Sequence, residues 1–273
     1  MRTLFFRGGR PCGEPSRSEL YGEGVFETFR WHRGPPVLLD EHVERMRRGA
    51  EFLGIPFPGK GAVVREVSSA VESSGIEDAR VKVCLLSRGK GRFSSAPDGS
   101  ELLTAVGRYM KPKTEMKCCI VEFRRNSSSP LLQHKTLNYL ENVVARREAE
   151  RRGADEALFL NDRNEVAEGA ATNVFWFRDG KLFTPSRECG ILPGITRKLL
   201  ISIARGLGIE VIDGRFFAES VLSADEVFLT NSLIGMARVV EINGNAIGGR
   251  TEAFSELREA LLRELGWSRD PSV

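Results

Sequence analysis

The sequence predicts an α/β (α+β) protein built in two domains, and three observations carry that reading. Short apolar or alternating runs, read as strands, take turns with amphipathic helical stretches along most of the chain. The 273 residues, 41% hydrophobic and 28% charged, are enough for a substantial core and for one or two ordinary globular domains. Lys111-Pro112-Lys113 breaks the pattern. Residues 1–110 are therefore expected as one domain, 111–116 as a linker and 117–273 as the second.

Composition excludes several classes. A formal net charge of +3 supplies little drive toward nucleic acid, so a basic binding module built on Arg45–Arg48 and Arg146–Arg152 is a remote alternative. No apolar run approaches the roughly 20 residues of a membrane span. The opening MRTLFFRGGR lacks the apolar region and cleavage site of a signal peptide. The five cysteines have no metal-ligand spacing and are read as free thiols in a reducing cytoplasm. With three histidines, a zinc or Ser-His-Asp site has few candidates, and no metal is expected.

In the N-terminal half, residues 3–6 read as an edge strand and 21–31 (YGEGVFETFRW) as a strand entered through glycines. Asp40 suits the N-cap of a helix whose Val43, Met46, Ala50 and Leu53 share one face. Residues 60–74 form a second amphipathic helix with Val63, Val67, Ala70 and Val71 inward. Residues 80–87 read as a buried strand, 88–99 (RGKGRFSSAPDG) as a polar loop, and 102–110 as another strand. Arg88 and Arg92 in that loop either face solvent or bind a substrate carboxylate.

In the C-terminal half, strands are expected at 117–123, 156–160 and 224–231, with a hairpin at 174–184 around Arg178-Asp179-Gly180-Lys181. A helix follows Lys135, with mixed charges at helical spacing that mark a solvated face. Gly190-Ile191-Leu192-Pro193-Gly194-Ile195-Thr196 leads into another helix, whose first amides attract anions. Asn243-Gly244 marks a hairpin, 251–265 a last helix, and the tail after Trp267 should fray.

Two side chains stand out chemically. Lys135 sits just before a helix, and Glu168 sits where a strand runs into Gly169-Ala170-Ala171. A lysine amine and a carboxylate are what an enzyme needs to hold pyridoxal 5'-phosphate (PLP) and keep its ring nitrogen charged. Small residues let the backbone approach a flat ring. Spacing alone also allows two exposed charges.

Four stretches in order resemble one family: HKTLNYLENVVARREA, EVAEGAATNVFW, CGILPGITRK and ADEVFLTNSL. They resemble the class IV aminotransferases, PLP enzymes of fold type IV that include branched-chain and D-amino acid aminotransferases and aminodeoxychorismate lyases. The resemblance runs from about Tyr21 to about Gly248. It implies two α/β domains with PLP in the cleft between them, and a homodimer.

The resemblance also implies roles. Lys135 is catalytic and bonds PLP, Glu168 pairs with the ring nitrogen, and Tyr139 lies near the 3-hydroxyl. Arg45, in a pattern resembling His-x-x-Arg-Leu, contacts the phosphate together with Ile195, Thr196 and Ser232. Phe26, Arg88, Arg92, Asn231 and Leu233 border the substrate. His42 and His134 are read as structural, the latter also as a neighbour of the site, and Asn173 as holding its loop. Phe26 stands where D-amino acid enzymes carry a tyrosine, and Arg92 is followed by Phe93-Ser94 where those enzymes have Arg-x-His. The expected activity is transfer of an amino group between an amino acid, of D- or branched-chain type, and a 2-oxo acid. The alternative is aminodeoxychorismate lyase, to which Thr230-Asn231-Ser232-Leu233 and the 88–92 loop point.

Overall fold

The computed structural model describes residues 5–249 and 251–267. The described chain divides into two compact units. One holds the residues up to Pro35, Leu39–Tyr109 and His134–Tyr139; the other holds Pro36–Leu38, Met110–Gln133 and the residues from Leu140 onward. The hexapeptide that carries Lys135, expected with the C-terminal half, thus groups with the first unit.

In the first unit, β1 (Phe5–Arg7) pairs antiparallel with β2 (Arg10–Cys12). Thr3 and Leu4, expected in this strand, lie outside the described residues. Helix α1 (Arg17–Tyr21) was not expected, and Tyr21 had been read as the start of a strand. The cause is a capping box: the Ser16 side chain accepts from the Glu19 amide, and the Glu19 side chain reaches back to Ser16. Strand β3 therefore starts only at Gly24 (Gly24–His32).

Helices α2 (Leu39–Phe52) and α3 (Lys60–Ser74) follow, then β4 (Asp78–Arg88) and β5 (Gly99–Arg108). The three long strands form an antiparallel sheet in the order β3-β4-β5. The expected helical stripes, Val43, Met46 and Ala50 of α2 and Val63, Val67 and Val71 of α3, pack with Val25, Phe29, Val81, Val83 and Leu85 as one core. Asp40 lies inside the first turn of α2 rather than at its cap, where its charge still meets the positive helix end.

In the second unit, nine strands form one sheet: β6 (Glu115–Ile120), β7 (Glu156–Leu160), β8 (Val166–Gly169), β9 (Asn173–Arg178), β10 (Lys181–Pro185), β11 (Val211–Gly214), β12 (Glu226–Asn231), β13 (Gly235–Ile242) and β14 (Asn245–Ala246). The path is β11-β10-β9-β12-β13-β6-β7-β8, with β14 paired to β13. Its helices are α4 (Leu140–Arg151), α5 (Ile195–Gly206), α6 (Ala218–Leu222) and α7 (Glu252–Glu264). β11 and α6 were not expected. The Asn243-Gly244 turn is as expected, with φ of 53° and 82° at the two positions.

Alternation along β9 and β12 sends Val174, Trp176, Val227 and Leu229 into one cluster and Phe175, Phe177 and Phe228 into another. The second cluster is shared with Leu200 and Ala204 of α5 and Leu257 and Leu261 of α7. Ala145 and Ala149 of α4 pack with Ala157 and Phe159 of β7 in a third. Both faces of this sheet are therefore buried, which explains apolar strands without a polar side.

Cys84, Cys118, Cys119 and Cys189 are buried free thiols. No described helix is long and apolar enough to cross a membrane. The tail expected to fray after Trp267 lies outside the described residues.

Phe228 is fully buried, stacked on Phe175 at 5.4 Å and edge-on to Phe254 at 5.5 Å. Phe228→Ala should lower stability by about 3–5 kcal/mol, measured by urea unfolding.

Candidate active site

Lys135 is placed by backbone pairing. Residues 135–137 lie along the edge of β3 that does not face β4. The Phe26 N–H donates to the Lys135 carbonyl at 2.9 Å, and the Leu137 N–H donates to the Gly24 carbonyl at 2.9 Å. Val25 and Thr136 form the antiparallel bridge between them. A Cβ on Gly24 would stand 2.5 Å from Leu137 Cδ1 and 2.8 Å from the Leu85 carbonyl oxygen, so only glycine permits this approach.

The pairing sets the lysine against aromatic rings. Lys135 Nζ is 4.6 Å from the Phe26 ring centre and 5.4 Å from that of Tyr139. The two rings meet edge-on at 5.2 Å. Lys82 of β4 also reaches the Phe26 ring, with Nζ at 4.3 Å. Two ammonium groups at one ring suit an anionic ligand. Sequence reasoning missed Lys82; the available signal was a lysine between Val81 and Val83, both buried. His134 stacks on Phe52 at 4.2 Å, in keeping with a structural reading.

The helix-facing side of β3 carries a buried ionic cluster. Glu27, 1% exposed, accepts from Arg45 Nε and Nη2, both at 2.7 Å, and meets His42 Nδ1 at 2.6 Å. Burial pushes the Glu27 carboxyl up, but Arg45 and His42 together outweigh it and hold it at about 2. Burial pushes the His42 imidazole down, against the pull of Glu27. Arg45, expected at the phosphate, thus commits one edge of its guanidinium to Glu27.

The loop at 88–99 is anchored from α1. Arg17 pairs with Glu23 and donates to the carbonyls of Lys90 at 3.1 Å and Arg92 at 2.8 Å. The Tyr21 hydroxyl donates to the Gly91 carbonyl, and Glu14 accepts from the Gly91 amide at 2.7 Å. Arg88 pairs with Glu101, whereas the Arg92 side chain is exposed.

In the second unit, Glu168, the last residue but one of β8, sits in a buried, donor-rich setting. Oε1 accepts from Arg125 Nη1 at 2.5 Å; Oε2 accepts from Asn173 Nδ2 at 3.1 Å and the Leu192 amide at 3.0 Å. Asn173 also donates to the Leu192 carbonyl, the loop-holding role expected of it. Arg125 was missed: nothing local separates it from exposed Arg124 beside it.

Helix α5 opens at Gly194 with no side-chain cap, leaving its first turn suited to an anion. A Cβ on Gly194 would stand 2.0 Å from Asn173 Oδ1, so the turn is tightly fitted. Thr196 Oγ1 lies 3.4 Å from Ser232 Oγ, bringing together two residues expected at the phosphate. Asn231, expected at the substrate, instead uses Oδ1 to accept from the amides of Leu233 and Ile234, and donates to the Ala171 carbonyl.

A family model of class IV amino-transferases matches residues 24–242. The chain belongs to the class IV aminotransferase family. It is 34% identical over 258 residues to "Aminodeoxychorismate lyase" of Bacillus subtilis strain 168, covering 90% of this chain and 88% of that one. A putative 4-amino-4-deoxychorismate lyase from Legionella pneumophila superposes with a TM-score of 0.86 at 31% identity, over 92% of this chain and 94% of that one. The branched-chain aminotransferase of the thermophilic archaeon Thermoproteus uzoniensis, solved with norvaline, superposes with a TM-score of 0.82 at 31% identity, over 96% and 94%.

Class IV aminotransferases use PLP, and the residues here fit that group. The fit rests on the uncapped start of α5 beside the Thr196 and Ser232 hydroxyls, on buried Glu168, and on Lys135 held against two rings.

Glu27 contributes stability in full above its ordinary value of 4.5 and loses it as pH falls toward its folded value of about 2. Glu27→Gln leaves Arg45 without its carboxylate and should cost about 3 kcal/mol at pH 7. Urea unfolding across pH should show the gap between wild type and variant closing between 4.5 and 2.

Proposed function

We propose that the chain is a PLP-dependent transaminase that moves an amino group between an amino acid and a 2-oxo acid. The observation that carries this reading is the setting of Lys135, an amine held by its own backbone against Phe26 and Tyr139. When bound, PLP supplies an electron sink that weakens bonds at the substrate's amino-bearing carbon. Lys135 would hold the cofactor, and its Nζ, as a free amine, would take the proton from the substrate's Cα. Glu168 accepts a hydrogen bond from the ring nitrogen. The Ile195 and Thr196 amides and the Thr196 and Ser232 hydroxyls take the phosphate, with Arg45 adding charge.

Phe26 and Tyr139 offer an apolar wall, and Lys82 and Arg92 are the cations for substrate carboxylates. Phe26 lacks the hydroxyl that the D-amino acid enzymes have there, so an amino acid with a branched apolar side chain is the better substrate. A homodimer accompanies this reading. Leu140, Val143 and Val144, exposed on one side of α4, suit contact with a second copy. Sedimentation at the mass of a single chain at micromolar concentration overturns it.

The second reading is aminodeoxychorismate lyase. It is favoured by the Bacillus and Legionella likenesses and by Lys82 at the Phe26 ring, a cation for a second carboxylate beside the one that Arg92 would take.

Borohydride treatment of PLP-saturated protein should add the cofactor mass at Lys135. Lys135→Arg should abolish that adduct and lower turnover at least about 10³-fold. Wild type should make L-glutamate from 2-oxoglutarate with L-leucine as donor. No amino product with any donor, together with pyruvate and 4-aminobenzoate from aminodeoxychorismate, replaces the transaminase reading with the lyase one.

A further inference from the structure

We propose that Arg125 is a positioning residue for Glu168: it keeps that carboxylate ionised and aimed, so that Glu168 accepts a hydrogen bond rather than donating one. The inference rests on the reading above, in which Glu168 serves the ring nitrogen.

Arg125 is 1% exposed, and its guanidinium lies over the Phe159 ring at 3.8 Å. Its backbone is pinned to the end of β7: its N–H donates to the Leu160 carbonyl at 3.0 Å, and its carbonyl accepts from the Asp162 amide at 2.9 Å. Nη1 donates to Glu168 Oε1 at 2.5 Å, and Nε faces Glu141 Oε2, in the first turn of α4, at 3.3 Å. Among the described residues, Nε and Nη2 are buried without a hydrogen-bond partner. A guanidinium with orphaned donors is a costly brace, since an apolar side chain would fill the same space without leaving polar groups unsatisfied. What it does provide is a positive charge within hydrogen-bond reach of Glu168.

The other contacts agree. Asn173 and the Leu192 amide also point donors at Glu168, so three donors converge on one carboxylate. A protonated acid would set its own hydrogen against one of them. An ionised carboxylate accepts from all three and from a protonated ring nitrogen as well. From α4, Glu141 faces the arginine of the pair.

The test is a four-member cycle: wild type, Arg125→Gln, Glu168→Gln and the double variant, each titrated with PLP after its fold is checked by circular dichroism and melting. Arg125→Gln should weaken PLP binding at least tenfold in the Glu168 background and less than twofold in the Glu168→Gln background. It should also shift the pH dependence of the bound cofactor's absorbance, a change that a merely structural role would not produce in a folded variant. Arg125→Lys, which keeps the charge, should recover most of the affinity and the wild-type pH profile. A folded Arg125→Gln with wild-type affinity and pH profile overturns the proposal. If Arg125→Gln alone does not fold, the comparison of the double variant with Glu168→Gln decides: equal affinities support the proposal, and a difference above fivefold overturns it. Wild type that binds no PLP sinks the proposed function itself, an outcome distinct from the loss of Arg125's role alone.

Discussion

The docking of residues 135–137 on the edge of β3 is the interaction on which the position of Lys135 depends. Two backbone hydrogen bonds contribute roughly 0.5–1.5 kcal/mol each. Ordering the residues they hold costs roughly 1–2 kcal/mol per residue in backbone entropy. The ladder alone therefore does not hold the segment. The difference comes from packing: Tyr139 edge-on to Phe26, and His134 stacked on Phe52. Aromatic residues that look like a substrate wall thus also fix the lysine's backbone, and the bare Cα of Gly24 is what lets the segment come close.

Buried carboxylates in this chain obey a simple balance. Glu27 and Glu165 are both held at about 2 although burial is the largest single influence on each and pushes upward. Each meets two cationic or potentially cationic partners: Arg45 and His42 for Glu27, Arg163 and Arg215 for Glu165. Glu156 is the contrast. It meets one arginine, Arg146, at 3.3 Å, so burial wins and the carboxyl is pushed up. The number of cationic partners and their distance, not the partners' own burial, separate the outcomes.

How much was legible in the sequence follows the physics of each element. Helices with an apolar stripe, such as α2 and α3, and apolar strands such as β7 and β12 were readable because burial imposes periodicity. The family and its cofactor were readable because a lysine, a glutamate and a helix start recur in fixed motifs. α1 was missed although its capping box, Ser16-Arg17-Ser18-Glu19, is written in the chain; the alternation after it drew the strand too far back. Arg45 was marked by a motif, but its hold on Glu27 was not legible, because that contact joins residues 18 positions apart across a sheet and a helix. Arg125 and Lys82 were invisible for a related reason. Each acquires its role from a partner set by strand register or by a loop's path, and no local pattern distinguishes a buried cation from a solvated one.

That asymmetry explains why cofactor and substrate separate so sharply in what a chain like this discloses. The cofactor carries the bond-weakening chemistry that transamination and elimination share, so the residues that hold it answer to one fixed shape and recur as motifs. Discrimination between substrates falls to groups whose positions are second-hand. Arg92 stands where it does because Arg17 holds its carbonyl and that of Lys90, and Arg17 stands where it does because Ser16 and Glu19 start a five-residue helix and Glu23 takes its charge. A change at Arg17 or Glu23 therefore reaches the 88–99 loop without touching a residue that any motif marks.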